Sequence, residues 1–221
     1  MERRPARPSQ SAKAANCPKG TNCPRPNSAR LPAESWTIRV RADSIAVADI
    51  WKSTVSCTLD QFAAECHRIL AADSGLEGRK RVRAFLGEVC SDEAFVATYL
   101  GDHLPIRQIL YEDPELGFCI VGHVEQNSRQ SRPHDHGPTW AIYGQAAGET
   151  VMTDWVIVSP PPSKGLPGKA RRVRDYTLTP GSAQVYNEGD VHSPRRNGPT
   201  RLLRIEGRNL EHICSAFFEQ I

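Results

Sequence analysis

The chain lacks charge of one sign. Its 28 lysines and arginines stand against 25 aspartates and glutamates, a formal net charge of +3. So small an excess, with no aromatic residues interleaved in a basic stripe, argues against a nucleic-acid partner. The basic run from Lys169 to Arg174 then reads as a solvated strand edge, with some capacity to steer anions. No apolar stretch approaches the ~20 residues that a membrane-spanning helix needs, so no membrane partner is expected. The N-terminus has no apolar core of the secretory type. Regular cysteine pairing is missing too. Seven cysteines, an odd number, show no repeated spacing beyond Cys17 and Cys23. That excludes a disulfide framework and predicts free thiols in a reducing, cytoplasmic compartment.

What is present falls into three stretches. Residues 1–38 are rich in Pro, Arg, Ser, Ala and Asn with few apolar positions, the composition of a disordered tail. Cys17-Pro18 and Cys23-Pro24 supply at most half a zinc site, with no second pair nearby. Residues 39–102 turn to a helical period. Thr58-Leu59-Asp60-Gln61 has capping-box spacing, and Leu59, Phe62, Cys66, Ile69 and Leu70 form one apolar face. A second helix is predicted over 79–89, and a third from near Ser91, with Phe95, Tyr99 and Leu100 as its apolar positions.

Residues 103–221 change to short strands. Turns are marked at Asp113-Pro114, Gly117, Gly137-Pro138, Gly148, Pro160 to Pro162, Pro180-Gly181 and Gly198-Pro199. Strands punctuated in this way predict a sandwich or barrel. Segment 159–169 reads as a long loop able to overhang its mouth. A length of 221 residues fits one principal domain with an appendage.

The most informative residues are histidines. His134 and His136 flank Asp135, and His192 follows far downstream. On a strand, residues i and i+2 share a face about 6.6 Å apart, close enough for both imidazoles to hold one ion. Asp135 then points to the opposite face. A third imidazole from a later strand would cap the ion on one side and leave positions open for substrate, as catalytic metal sites do. His67, His103, His123 and His212 lack such context. His67 is expected at the surface or half-buried, and His123 as a satisfied core histidine.

The two histidine segments resemble the paired motifs of the cupin superfamily. Pro133-His134-Asp135-His136-Gly137 is similar to the first. Gly181, Gly189, His192 and Asn197 follow G-x5-P-x-G-x2-H-x3-N, with Asn187 in place of proline and the asparagine one step late. This resemblance covers residues 103–221 and implies a mainly β double-stranded β-helix barrel preceded by a small helical segment. Many cupins carry a glutamate ligand four or five residues after the second histidine. Trp140 and Ala141 stand there, and Glu149 lies too far along, so the implied site has three histidines and no carboxylate.

An all-histidine face resembles the thiol dioxygenases of the cysteine dioxygenase type, which hold ferrous iron, Fe(2+). Three nitrogens leave room for dioxygen and a bidentate substrate, which suits non-heme iron(II). The resemblance places Arg107 where such enzymes bind a substrate carboxylate, a geometry that a guanidinium fork fits. It also marks departures. Ala141 replaces the cysteine that crosslinks to tyrosine in mammalian-type enzymes. Arg204 and Glu206 occupy the histidine and tyrosine places of the usual Ser-x-His-x-Tyr triad. They alternate with Leu203 and Ile205, which suits either an inward charged pair or an outer-face ion pair. Tyr143 and Tyr186 complete the candidate pocket.

The expectation is thus an iron-dependent dioxygenase acting on a small thiol or related small polar carboxylate, with dioxygen. The alternatives are a cupin isomerase or hydrolase using another divalent metal, and a non-catalytic metal-dependent small-ligand binder.

Overall fold

A computed structural model describes residues 56–221. The expected tail, the Cys17 and Cys23 pair and the start of the helical segment lie outside the described residues.

Three helices come first: α1 (Leu59–Ala72), α2 (Leu76–Cys90) and α3 (Glu93–Tyr99). At the start of α1, Thr58 and Gln61 make the reciprocal capping box, each side chain meeting the other's backbone N–H. This satisfies two donors that a helix N-terminus otherwise leaves orphaned. The face α1 buries includes Phe62, Cys66, Ile69 and Leu70, with Leu59 packed partly against it. Helix α2 begins three residues before the predicted Arg79. Its Asp73-Gly75 turn is closed by the Gly75 N–H donating to the Asp73 carboxylate, a local device that apolar periodicity does not report. Helix α3 starts at an Asp92 cap whose carboxylate accepts from Ala94 and Phe95 N–H.

Ten strands follow: β1 (Gln108–Glu112), β2 (Cys119–Glu125), β3 (Arg129–Gln130), β4 (Ala141–Ala147), β5 (Thr150–Ser159), β6 (Gly168–Leu178), β7 (Ala183–Tyr186), β8 (Val191–Arg196), β9 (Thr200–Glu206) and β10 (Phe218–Gln220). They form two five-stranded sheets, ordered β1-β2-β9-β4-β7 and β10-β6-β5-β8-β3. Strands distant in sequence alternate between the sheets, as a double-stranded β-helix requires. The expected loop 159–169 is shorter at both ends, because β5 runs through Ser159 and β6 resumes at Gly168. The basic residues Lys169, Arg171, Arg172 and Arg174 lie exposed along β6.

The first sheet is buried on both faces, for two different reasons. Its outer face carries Ile120, Ile142, Leu203 and Ile205, and these join the helices in one buried cluster with Phe62, Leu86 and Phe95. Gly144 permits the close approach of α2: a Cβ there would lie 2.7 Å from Cys90 Sγ and Leu86 Cγ. Burial of this kind contributes about 25 cal/mol per Å² of apolar surface, which makes the helices the lid of the outer face. The inner face carries Ala141, Tyr143, Leu202 and, on neighbouring β7, Tyr186, packed with Met152 and Leu178 from across the barrel. Five cysteines among the described residues are free, and Cys57, Cys66, Cys90 and Cys119 of these are buried. No helix among the described residues is long and apolar enough to cross a membrane.

Candidate metal centre

Three imidazoles meet inside the barrel. His192 lies on β8 and is fully buried, and His136 is buried in the loop ahead of β4. His134 is tied to His192 by two backbone hydrogen bonds of 3.0 Å, N–H to carbonyl in each direction. This isolated bridge is the local reason that the two motifs meet. Between the histidines, Asp135 turns away. Its carboxylate accepts from the backbone N–H of Gly137 (2.9 Å) and Ala216 (2.8 Å), so it staples the loop and is no ligand.

One ligand atom from each of His134, His136 and His192 can be chosen so that all lie within 4.8 Å of one another. Nδ1 of His134 lies 2.8 Å from the Arg132 carbonyl. A hydrogen bond there puts the proton on Nδ1 and leaves the Nε2 lone pair free. Nε2 of His136 and of His192 lie 3.2 Å and 3.4 Å from the Tyr143 hydroxyl. Burial holds all three imidazoles below the ordinary histidine range, with nearby Arg204 acting in the same direction. His136 falls to about 2. The site therefore presents neutral nitrogen donors at ordinary pH, the form that a metal ion requires. Nδ1 of His136 is buried without a partner among the described residues. A buried polar cluster of this kind is costly when left alone, and the donor set suits a divalent transition ion.

Around the imidazoles the structure assembles most of the residues that the sequence pointed to. Antiparallel pairing sets Tyr143 opposite Arg204 and Ala141 opposite Glu206. Paired residues point to one side of a sheet, so Arg204 and Glu206 face inward with Tyr143. The outer-face alternative is overturned, since Leu203 and Ile205 fill that side. Arg204 donates to the Tyr143 hydroxyl at 3.0 Å and to Glu206. Glu206 is fully buried. Its second oxygen accepts from Arg107 at 2.9 Å and from Leu210 N–H at 3.0 Å.

Arg107 lies just ahead of β1 and commits its fork to the protein. Besides Glu206 it donates to Glu211 at 2.5 Å and Asn209 at 3.1 Å. Tyr186 is stacked on His192, ring centroids 3.9 Å apart and planes 19° from parallel. Its hydroxyl lies 2.5 Å from that of Tyr176, which donates in turn to Asp154 at 3.2 Å. Burial pushes both phenols up, so they stay neutral. Tyr186 thus buttresses the His192 ring.

One inward residue escaped the sequence reading. Arg196 lies two strand steps beyond Pro194 and four residues beyond His192, hence on the inward side of β8. It stands where the motif has its asparagine, while Asn197 accepts from Arg195 at 3.3 Å. Strand alternation from His192 was the available signal. His123 pairs with Leu202 across β2 and β9 and faces inward with it. It is not the satisfied core histidine expected, because its Nε2 is buried without a partner among the described residues. His67 is half-buried and pairs with Asp113 at 2.8 Å.

No family model matches the chain, and no curated protein does. Solved structures do match. A double-stranded β-helix protein from Klebsiella pneumoniae subsp. pneumoniae is 15% identical, with 54% of this chain and 83% of that one covered and a TM-score of 0.36. A cupin-2 domain protein from Shewanella frigidimarina is 13% identical over 55% and 98% of the two chains, TM-score 0.37. A hydroquinone 1,2-dioxygenase, solved with Cd2+ and 4-hydroxybenzonitrile, is 12% identical over 58% and 83%, TM-score 0.40. By its own strand order the chain is a double-stranded β-helix, with three histidines gathered inside the barrel.

Proposed function

We propose that the protein is an iron(II)-dependent dioxygenase that converts a small thiol to its sulfinate. The observation that carries this reading is the convergence of three neutral imidazoles with no carboxylate among them. The reaction balances as R–SH + O2 → R–SO2H, with the thiol sulfur oxidised and both oxygen atoms retained on it. Iron would be held by His134, His136 and His192, and it supplies the redox chemistry.

The remaining work falls to this chain's own residues. Tyr143 brings a hydroxyl beside His136 and His192 and is held there by Arg204. Glu206, clamped by Arg107 and Arg204, fixes the Arg204 fork in turn. Tyr186 holds the His192 ring plane through stacking. Supports of this kind set ligand orientation and are typically worth 10- to 100-fold in metal affinity or activity.

Oxygen uptake by the iron-loaded protein over a panel of small thiols tests the reading. One dioxygen consumed per sulfinate formed is expected. No uptake with any thiol, together with tighter retention of zinc or nickel than of iron, overturns it in favour of an isomerase, hydrolase or binding role.

A further inference from the structure

Helix α2 lies along the strand pair β4–β7. Near its C-terminal end the approach is close. A Cβ on Gly87 would lie 2.7 Å from the Gly181 carbonyl oxygen, and one on Gly144 would lie 2.7 Å from Leu86 Cγ. Near its N-terminal end the contact is made by Arg79. Its Nη1 donates to Asn187 Oδ1 at 3.0 Å and to Glu188 Oε2 at 2.7 Å, and its Nη2 donates to Glu188 Oε1 at 2.8 Å. The guanidinium carbon also lies 5.1 Å from the centre of the Trp140 ring. Solvent-exposed ion pairs contribute little. The Arg79 side chain, however, is only 13% exposed, and its fork is bidentate and set over an aromatic face.

The residues that Arg79 holds sit at one end of that strand pair. Ala141 pairs with Tyr186 in antiparallel register. Trp140 comes immediately before the one, and Asn187 immediately after the other. Trp140 is anchored a second time through its carbonyl, which accepts from the Gly207 N–H at 2.9 Å. The Asn187 N–H donates to Asp190 Oδ2 at 2.7 Å, closing the turn into β8. A proline at position 187 would fix its own φ through the ring, whereas Asn187 is tied through its side chain. From this strand pair two phenols lean on the histidines. Tyr186 stacks on the His192 ring and meets His136 edge-on, centroids 6.4 Å apart. Tyr143, two residues along β4 from Ala141, approaches Nε2 of both.

We propose that Arg79 is a positioning residue of the metal site. It splints the end of the β4–β7 pair from the helix side, so that Tyr186 and Tyr143 hold the His136 and His192 rings where one ion can take both. Without the clamp, Asn187 and Trp140 lose their tie to α2, and the two rings must be ordered when metal binds. Affinity then falls by the cost of that ordering. Helix α2 thus has a second duty besides covering the apolar face of the sheet. The proposal rests on the three-histidine metal reading and not on the reaction assigned to the metal.

Chelator-competition titration with zinc and the visible spectrum of the cobalt(II)-loaded protein test this without turnover. Arg79→Met keeps an aliphatic stem and removes the fork. It should weaken zinc roughly 10- to 100-fold and shift the cobalt bands, which report ligand geometry. Arg79→Lys keeps the charge but can neither fork nor lie flat on the indole, so it should recover only part of the affinity. Glu188→Gln should also weaken zinc, and the double variant should lose less than the two single losses combined, because both break one clamp. Arg81→Met is the control. Arg81 is exposed on the same helix and pairs with Asp73 at 3.3 Å, so affinity and spectrum should stay as in wild type. A lower urea midpoint for metal-free Arg79→Met, with zinc affinity and cobalt spectrum unchanged, makes Arg79 a stability residue alone and overturns the proposal. An equal loss in Arg81→Met overturns it too. The lysine and glutamine variants decide the matter by the same readouts if the methionine variant does not fold. Wild type that takes up neither zinc nor cobalt removes the metal site and the proposal with it. Metal affinity that depends on Arg79 in a protein that oxidises no thiol leaves the clamp standing and sinks the dioxygenase reading alone.

Discussion

The hydroxyl of Tyr143 lies 3.2 Å from Nε2 of His136. His192 Nε2 is almost as near, at 3.4 Å, and Arg204 donates to the same oxygen from the other side. One phenol therefore links both motif histidines to the charged pair on β9. Replacing Tyr143 with Phe removes that link and leaves the ring stacked 16° from the His136 plane. Tyr143→Phe is expected to keep the fold and to weaken metal binding roughly 10- to 100-fold, the usual effect of losing an outer support. A chelator-competition titration with zinc measures it. Metal affinity equal to wild type shows that the phenol has no part in the site.

The histidines themselves are tested by metal content. His134→Ala and His192→Ala should each bring bound iron or zinc close to zero in purified protein, because two imidazoles are too few to hold the ion. Asp135→Ala should retain metal, since its carboxylate serves the Gly137 and Ala216 N–H groups. Equal metal in wild type and both histidine variants refutes the site.

Glu206 is the residue whose loss should cost most stability. It is wholly buried and bonded by two guanidiniums and the Leu210 N–H. Glu206→Ala strands Arg204 beside Tyr143 with no counter-charge. Removing one partner of a buried ion pair costs about 3–5 kcal/mol, readable as a lower midpoint in urea. Arg107→Leu should cost less, because Arg204 still neutralises the carboxylate. Equal losses for the two variants contradict this ranking.

How much of this was legible in the sequence depends on the range of the signal. The capping box at Thr58 and Gln61 and the apolar face of α1 are short-range patterns, and each appears in the structure as expected, whereas His136 lies in a loop and not on the strand that the histidine spacing assumed. Alternation told that Arg204 and Glu206 share a face, but not which face. That depended on α2 covering Leu203 and Ile205, a contact between elements far apart in the chain. The engagement of Arg107 with Glu211 and Asn209 was likewise invisible. A motif position for an arginine says nothing about which carboxylates will fold back onto it. Arg196 was hidden by attention to the asparagine one residue later, although the step of two from His192 pointed to it.

His123 gives a pH dependence with a definite sign. Burial holds its imidazole well below the ordinary range, and Arg204, Arg196 and Arg107 act in the same direction, against a backbone bond with Ile106. The unfolded chain takes up a proton on this residue near pH 6.5, whereas the folded chain does not until much lower pH. Below about pH 6.5 the unfolded state therefore binds more protons, and stability falls as pH is lowered toward the folded value. Above that pH the residue is neutral in both states and contributes no slope. His123→Gln removes the difference while keeping a polar side chain at that position. Urea midpoints of wild type and variant, measured from pH 7.5 to pH 4.5, should diverge below pH 6.5, with the variant losing less stability. The metal histidines stay present in both proteins, so their own contribution cancels in the comparison. Parallel curves over the whole range would mean that His123 is protonated as readily in the folded chain as in the unfolded one, and that its place among the arginines is wrong.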